Sequence, residues 1–106
     1  MALLLAGLGD AISAGRAETT VKDPYLGQPA AIDQGKDIYR EKCIICHGRH
    51  GGRGPNLFAT NLDDAEFLAT VTNGRKGTLM PSFALQLTQD DIWKVRAFLK
   101  ANPDGL

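Results

Sequence analysis

Residues 43–47 read Cys43-Ile44-Ile45-Cys46-His47, and they contain both cysteines of the 106-residue chain. The spacing C-x-x-C-H is the signature of covalent haem attachment in c-type proteins. On a helix that turns about 100° per residue, Cys46 lies roughly 60° to one side of Cys43 and His47 roughly 40° to the other. All three side chains therefore leave one face, which suits two thioether bonds to a porphyrin and an imidazole directed at its iron.

Three other uses of the cysteine pair stay open at this point. A structural zinc site needs four ligands, usually with a second pair well downstream, and the chain offers only His47 and His50 in addition. A thioredoxin-like dithiol is typical of a βαβ context with a strand before the motif, which the sequence does not show. A plain disulfide would suit an exported protein. The motif favours haem over each of them.

Met80 is the candidate for the second axial ligand, because it is the only methionine apart from the initiator. A buried methionine is ordinarily soft core filling. Here Gly77 and Pro81 flank it and predict a rigid loop that can hold a thioether against a metal. His50 is too close in sequence to His47 to reach the opposite face of a porphyrin, so we expect it to be an exposed loop residue.

Helical periodicity to either side of the motif predicts an all-α domain with three to five short helices and long loops. We expect a first helix over residues 31–45, ending within the motif. A second helix is expected over residues 61–72, with Asn61 as its N-cap and Asn73-Gly74 as its stop.

The last helix carries the clearest end signals. Thr88 caps it, Asp91 stands three residues later as in a capping box, and Asn102-Pro103 closes it. No segment alternates like a β-strand. The side chains expected to face inward from the last two helices are Phe67, Leu68, Val71, Ile92, Val95, Phe98 and Leu99.

Between about residues 31 and 103 the order of these motifs resembles a class I mono-haem c-type cytochrome of the bacterial, periplasmic type. The resemblance implies a small cytochrome c fold wrapped around one haem c, covalent through Cys43 and Cys46. It also implies His47 and Met80 as the metal ligands. The stretches that carry it are residues 43–47, Gly54-Pro55-Asn56-Leu57, Met80-Pro81 and Asp91-Ile92-Trp93.

The same resemblance gives two further positions a role. Pro55 corresponds to the proline whose carbonyl accepts the ring N–H of the proximal histidine. Gly35 and Tyr39 correspond to the crossing of the first helix over the last, where they meet Phe98.

Ligation by histidine and methionine fills both axial positions of the iron and raises its potential. We therefore expect a one-electron carrier and not an enzyme, shuttling electrons between periplasmic redox proteins. The alternative is a haem enzyme or a gas or redox sensor with a displaceable Met80. The Met80 loop and the last helix are similar to those of cytochromes that serve quinoprotein dehydrogenases or terminal oxidases, which suggests transient contacts with such a donor dehydrogenase and an oxidase or other acceptor.

The N-terminal region divides into two parts. Residues 1–17 resemble an export leader, with an apolar run followed by small residues, although no Lys or Arg precedes the run. A disordered or weakly helical tail is the alternative. Residues 18–30 are expected to be a linker or N-terminal extension, and residues 31–106 the cytochrome c domain. Export implies a periplasmic, soluble protein.

The balance of charges argues against nucleic acid as a partner. The 12 basic residues balance the 12 acidic ones, and no basic stripe with aromatic residues favours nucleic acid. The apolar run near the N-terminus is shorter than the roughly 20 residues that a membrane span needs. We also expect a monomer. A basic rim around the haem edge is predicted from Arg40, Lys42, Arg49, Arg53, Arg75 and Lys76.

Overall fold

The computed structural model describes residues 21–106, and in this range it is helical with no strand. The all-α prediction is confirmed. The predicted leader, residues 1–17, lies outside the described range. The elements in chain order are α1 (Pro29–Lys42), α2 (Ile44–His47), a 3-10 turn (Leu57–Ala59), α3 (Asp64–Asn73) and α4 (Gln89–Ala101).

Helix α1 begins with Pro29, whose fixed φ suits a first helical turn. The prediction of one continuous helix to residue 45 was wrong, because α1 ends at Lys42. Cys43 has φ −114° and ψ −35°, which opens the last turn. Its carbonyl then accepts the N–H groups of Cys46 and His47, at 3.1 and 2.9 Å. The motif therefore occupies a short helix of its own.

Helix α3 starts later than the sequence predicted. Asp63, and not Asn61, is the N-cap: its carboxylate accepts the Glu66 N–H at 2.8 Å. The Glu66 side chain accepts the Asp63 N–H in return, at 2.9 Å. Of the two candidate caps, only Asp63 is followed by a glutamate three residues later in the sequence. The reciprocal bonding satisfies two N–H donors at the start of the helix. The predicted stop is confirmed at Gly74, which has φ +77°.

Helix α4 has the predicted ends. The Thr88 hydroxyl accepts the Asp91 N–H at 3.1 Å and the Asp91 carboxylate accepts the Thr88 N–H at 2.9 Å, while Asn102 is the C-cap. The predicted inward faces of α3 and α4 are confirmed, with Leu68 and Val71 only partly buried against the core. Buried members of the core include Phe67, Ile92, Val95, Phe98 and Leu99.

Helix α1 packs against α4 at the predicted crossing. A Cβ atom at Gly35 would overlap the backbone carbonyl of Lys94, so only glycine allows this approach. One turn later the Tyr39 ring lies 5.6 Å from that of Phe98 and 5.3 Å from that of Phe58, centroid to centroid. These contacts close one side of the domain.

Residues 21–28 lie against the helices. The Asp23 N–H donates to the Asp64 carboxylate at 2.7 Å, and the Lys94 ammonium lies 5.4 Å from the centre of the Tyr25 ring. The predicted boundary at residue 30 stays a prediction. None of the helices described here is long and apolar enough to cross a membrane.

Candidate haem site

A cavity of about 810 Å³ opens between the motif, α3, α4 and the Met80 loop. It falls within the range of cofactor pockets, which are mostly apolar with a few polar groups. No acidic side chain lines it among residues 21–106. Its apolar walls include Leu62, Phe67, Val71, Phe83, Ile92 and Val95.

The three motif side chains face this cavity together. Cys43, Cys46 and His47 all line it, as the helical spacing predicts. Neither cysteine is in a disulfide. As a free thiol, Cys43 has its pKa raised to about 11, first by burial and then by the neighbouring Cys46. A thiol held protonated is a poor zinc ligand or redox nucleophile, so the surroundings of Cys43 favour neither rival use.

His47 is buried and fixed in orientation. Its Nδ1 lies 2.8 Å from the Pro55 carbonyl oxygen, so Nδ1–H donates and Nε2 is left free for a metal. The backbone at Gly54 lies against the ring, because a Cβ there would come within 2.7 Å of Cε1. The contact implied for Pro55 is therefore present.

The loop after His47 is tied to the core by Tyr39. The Tyr39 hydroxyl donates to the Gly48 carbonyl at 2.6 Å, and Gly48 itself has φ +65°. Burial, with a smaller effect from Cys43, raises the pKa of Tyr39 to about 12. The hydroxyl therefore remains a donor throughout the neutral range.

Removal of this hydroxyl is expected to loosen the loop. We predict that Tyr39→Phe lowers the free energy of unfolding by about 1 kcal/mol, the usual net value of one hydrogen bond. Denaturant titration of the haem-loaded protein measures it. The half-exposed Tyr25 supplies a matched control, and equal losses for Tyr39→Phe and Tyr25→Phe would contradict the assignment.

Met80 lines the same cavity as His47 and is half-buried. The Thr78 hydroxyl accepts the Met80 N–H at 3.1 Å and donates to the Arg75 carbonyl at 2.7 Å. The Met80 carbonyl accepts the Arg75 N–H at 3.1 Å. The bonds of Thr78 therefore hold the loop that carries Met80.

The basic residues predicted around the haem edge divide between the cavity lining and the surface away from it. Lys42, Arg53 and Arg75 line the cavity. Arg40, Arg49 and Lys76 are exposed away from its lining, as is His50. Trp93 is buried and contributes to packing, since it does not line the cavity.

Comparison with known proteins gives a consistent family. Residues 30–99 match the family described as Cytochrome C oxidase, cbb3-type, subunit III. Cytochrome c550 of Pseudomonas aeruginosa is 32% identical over 89 residues, covering 76% of this chain and 61% of that protein. A quinohemoprotein alcohol dehydrogenase of Comamonas testosteroni is 31% identical over 84 residues, covering 74% of this chain and 12% of that protein.

Solved structures agree with the fold. Cytochrome CL of Methylophaga aminisulfidivorans superposes with a TM-score of 0.70 at 25% identity, covering 78% of this chain and 62% of that one. Cytochrome cL of Hyphomicrobium denitrificans gives 0.69 at 28% identity, covering 77% and 53%. The chain thus spans less than two thirds of the length of these relatives. It belongs to the class I mono-haem c-type cytochromes and carries one haem c, covalently attached through Cys43 and Cys46.

Proposed function

We propose that the chain is a periplasmic one-electron carrier whose haem iron is bound by His47 and Met80. The observation that carries the proposal is that both side chains line one apolar cavity together with the two attachment cysteines. Haem c supplies a one-electron iron couple when bound. With His47 and Met80 both bound, the haem iron would have no open position for oxygen or peroxide, which favours electron transfer over catalysis or gas sensing.

The chain's own residues hold the geometry between electron transfers. The Pro55 carbonyl orients His47 through Nδ1 and raises the basicity of the ring. Thr78 ties the backbone of Met80 to Arg75. Apolar side chains of α3 and α4 line the cavity. A site held in this way changes little when an electron arrives or leaves, which favours rapid transfer.

The relatives support one class of protein as the electron donor and another as the electron acceptor. A stretch similar to this chain occurs within a quinohemoprotein alcohol dehydrogenase and within cbb3-type oxidase subunits. We infer that this chain accepts electrons from a quinoprotein dehydrogenase and passes them to an oxidase or other acceptor through transient contacts, as a monomer. Rapid mixing of the ferric protein with a reduced quinoprotein dehydrogenase tests this, and failure to become reduced would refute the donor.

The rim of the cavity fits an acidic partner. Lys42, Arg53 and Arg75 line it without an acidic counterpart among the described residues. Three apolar side chains stand out from the surface on the motif and on the chain that follows Arg75: Ile45, Leu79 and Leu85 are 78%, 90% and 101% exposed. Charge of one sign steers the encounter, while apolar contact favours a close complex.

We predict that the second-order rate of reduction by the donor falls as ionic strength rises, because salt screens exposed charges beyond about 8 Å at physiological strength. Arg53→Glu, at an exposed basic residue that lines the cavity, should lower the rate several-fold at low salt and converge with the parent at high salt. Stopped-flow absorbance measures both. Lys22→Glu, an exposed charge outside the cavity lining, is the matched control. Rates indifferent to salt would rule out the basic rim.

A further inference from the structure

A second cavity, of about 640 Å³, lies directly behind one wall of the haem cavity. Residues 60–62 line both cavities. On the far side of this wall stand Asp64 of α3 and Arg96 of α4. A charge placed there is separated from the haem cavity by a single stretch of chain.

Asp64 and Arg96 belong to a buried ionic cluster that extends from this wall to Asp23. The Asp64 carboxylate accepts from Arg96 Nε and, at 2.7 Å, from the Asp23 N–H. Arg96 Nη2 donates to the Leu62 carbonyl at 3.0 Å, so the guanidinium is bonded to the wall itself. Asp23 and Arg96 are only 6% and 3% exposed.

Of the two carboxylates in the cluster, Asp23 has the fewer hydrogen-bond donors, and Arg96 Nη1 is likewise buried without a partner among residues 21–106. Asp23 Oδ1 accepts the Tyr25 N–H at 2.8 Å, but Oδ2 is buried with no partner among residues 21–106. Two carboxylates share one guanidinium, and Asp64 holds it. Burial is the main cause that raises the pKa of Asp23 to about 6, with Asp64 raising it further and the Tyr25 N–H and Arg96 opposing.

Other charged groups surround Asp23 in this region. Against the opposing effect of burial, hydrogen bonds from the Asp23 N–H and from Arg96 hold the pKa of Asp64 below its usual value. Beyond these, the charged side chains that line the second cavity are Lys22 from the N-terminal extension, Asp63 beside α3 and Lys100 from α4.

We propose that Asp23 is a redox-linked proton site, which takes a proton from solvent when an electron enters the protein and returns it when the electron leaves. The inference rests on the proposed function, because it needs haem in the cavity beyond residues 60–62. The added electron makes a neutral carboxyl more favourable nearby, and by reciprocity protonation of Asp23 makes reduction easier. Hydrogen bonds link Asp23 to the wall formed by residues 60–62, because its N–H donates to Asp64, Asp64 is bonded to Arg96, and Arg96 donates to the Leu62 carbonyl.

The first test is the midpoint potential of the haem-loaded protein, measured from below to above pH 6, the region set by the pKa of Asp23. The parent potential should fall as pH rises through this range. Asp23→Asn should remove most of that fall, since its amide oxygen still accepts from Tyr25 but no longer titrates. His50→Gln removes the exposed imidazole and should keep the fall.

The second test follows Asp23 in the parent protein and does not depend on a variant. NMR titration of the labelled Asp23 carboxyl carbon should give a higher midpoint in the ferrous than in the ferric state. Equal midpoints, or a slope of potential that persists in Asp23→Asn, would overturn the proposal and point to a haem propionate instead. A reversible couple with no pH dependence would refute only this inference, whereas the absence of His/Met ligation would refute the proposed function.

Discussion

Met80→Ala is expected to lower the reduction potential by a few tenths of a volt while leaving the haem attached. A thioether stabilises the ferrous state, and axial ligands tune haem potentials over roughly 0.8 V. The two cysteine bonds do not involve Met80, so attachment persists. The opened sixth position should take water or an added ligand such as imidazole. Potentiometry and absorbance of the purified variant measure both effects.

Leu79→Ala is the matched control for the loop. Leu79 precedes Met80 in the same loop and is 90% exposed, so its removal disturbs the loop without removing the thioether. Its potential should stay close to the parent value. If Met80→Ala and the parent share one potential and one ferric spectrum, Met80 is not the ligand.

Gly35→Ala is expected to destabilise the domain more than any other substitution that adds a single methyl group. Alanine normally gains about 1 kcal/mol over glycine within a helix. At this position the new Cβ overlaps the Lys94 carbonyl, and backbone cannot rotate away as a side chain can. Overpacking typically costs about 1–3 kcal/mol, occasionally more. We expect a net loss of about 2 kcal/mol and a melting temperature lower by roughly 10 °C.

Gln34→Ala is the control variant: it changes the same helix at an exposed residue and not at the crossing with α4. It should change the melting temperature only slightly. Thermal unfolding of the haem-loaded proteins, followed by circular dichroism, compares the two variants. A Gly35→Ala protein as stable as the parent would show that α1 and α4 do not approach as closely as described.

Local signals predicted the parts of the site that depend on neighbours in sequence. The C-x-x-C-H spacing predicts three side chains on one cavity, and Cys43, Cys46 and His47 line it. The reciprocal cap of α4 follows from Thr88 and Asp91 alone. Such features need no knowledge of the distant chain, so the sequence contains them completely.

Features that depend on competition or on distant contacts were missed. Asn61 is as good a cap as Asp63 by residue type, and only the returning Glu66 bond decides between them. Asp23 and Arg96 look like ordinary surface charges in the sequence. Their burial results from the packing of the N-terminal extension on α3 and α4, which no local pattern indicates.

The absorbance spectrum of the ferric protein, matured by a c-type haem system, tests the central claim most directly. The account predicts a low-spin haem that stays with the polypeptide on denaturation, with a sulfur-to-iron band that Met80→Ala abolishes and Leu79→Ala keeps. A high-spin spectrum in the parent protein, or a haem that separates from the denatured chain, would contradict it.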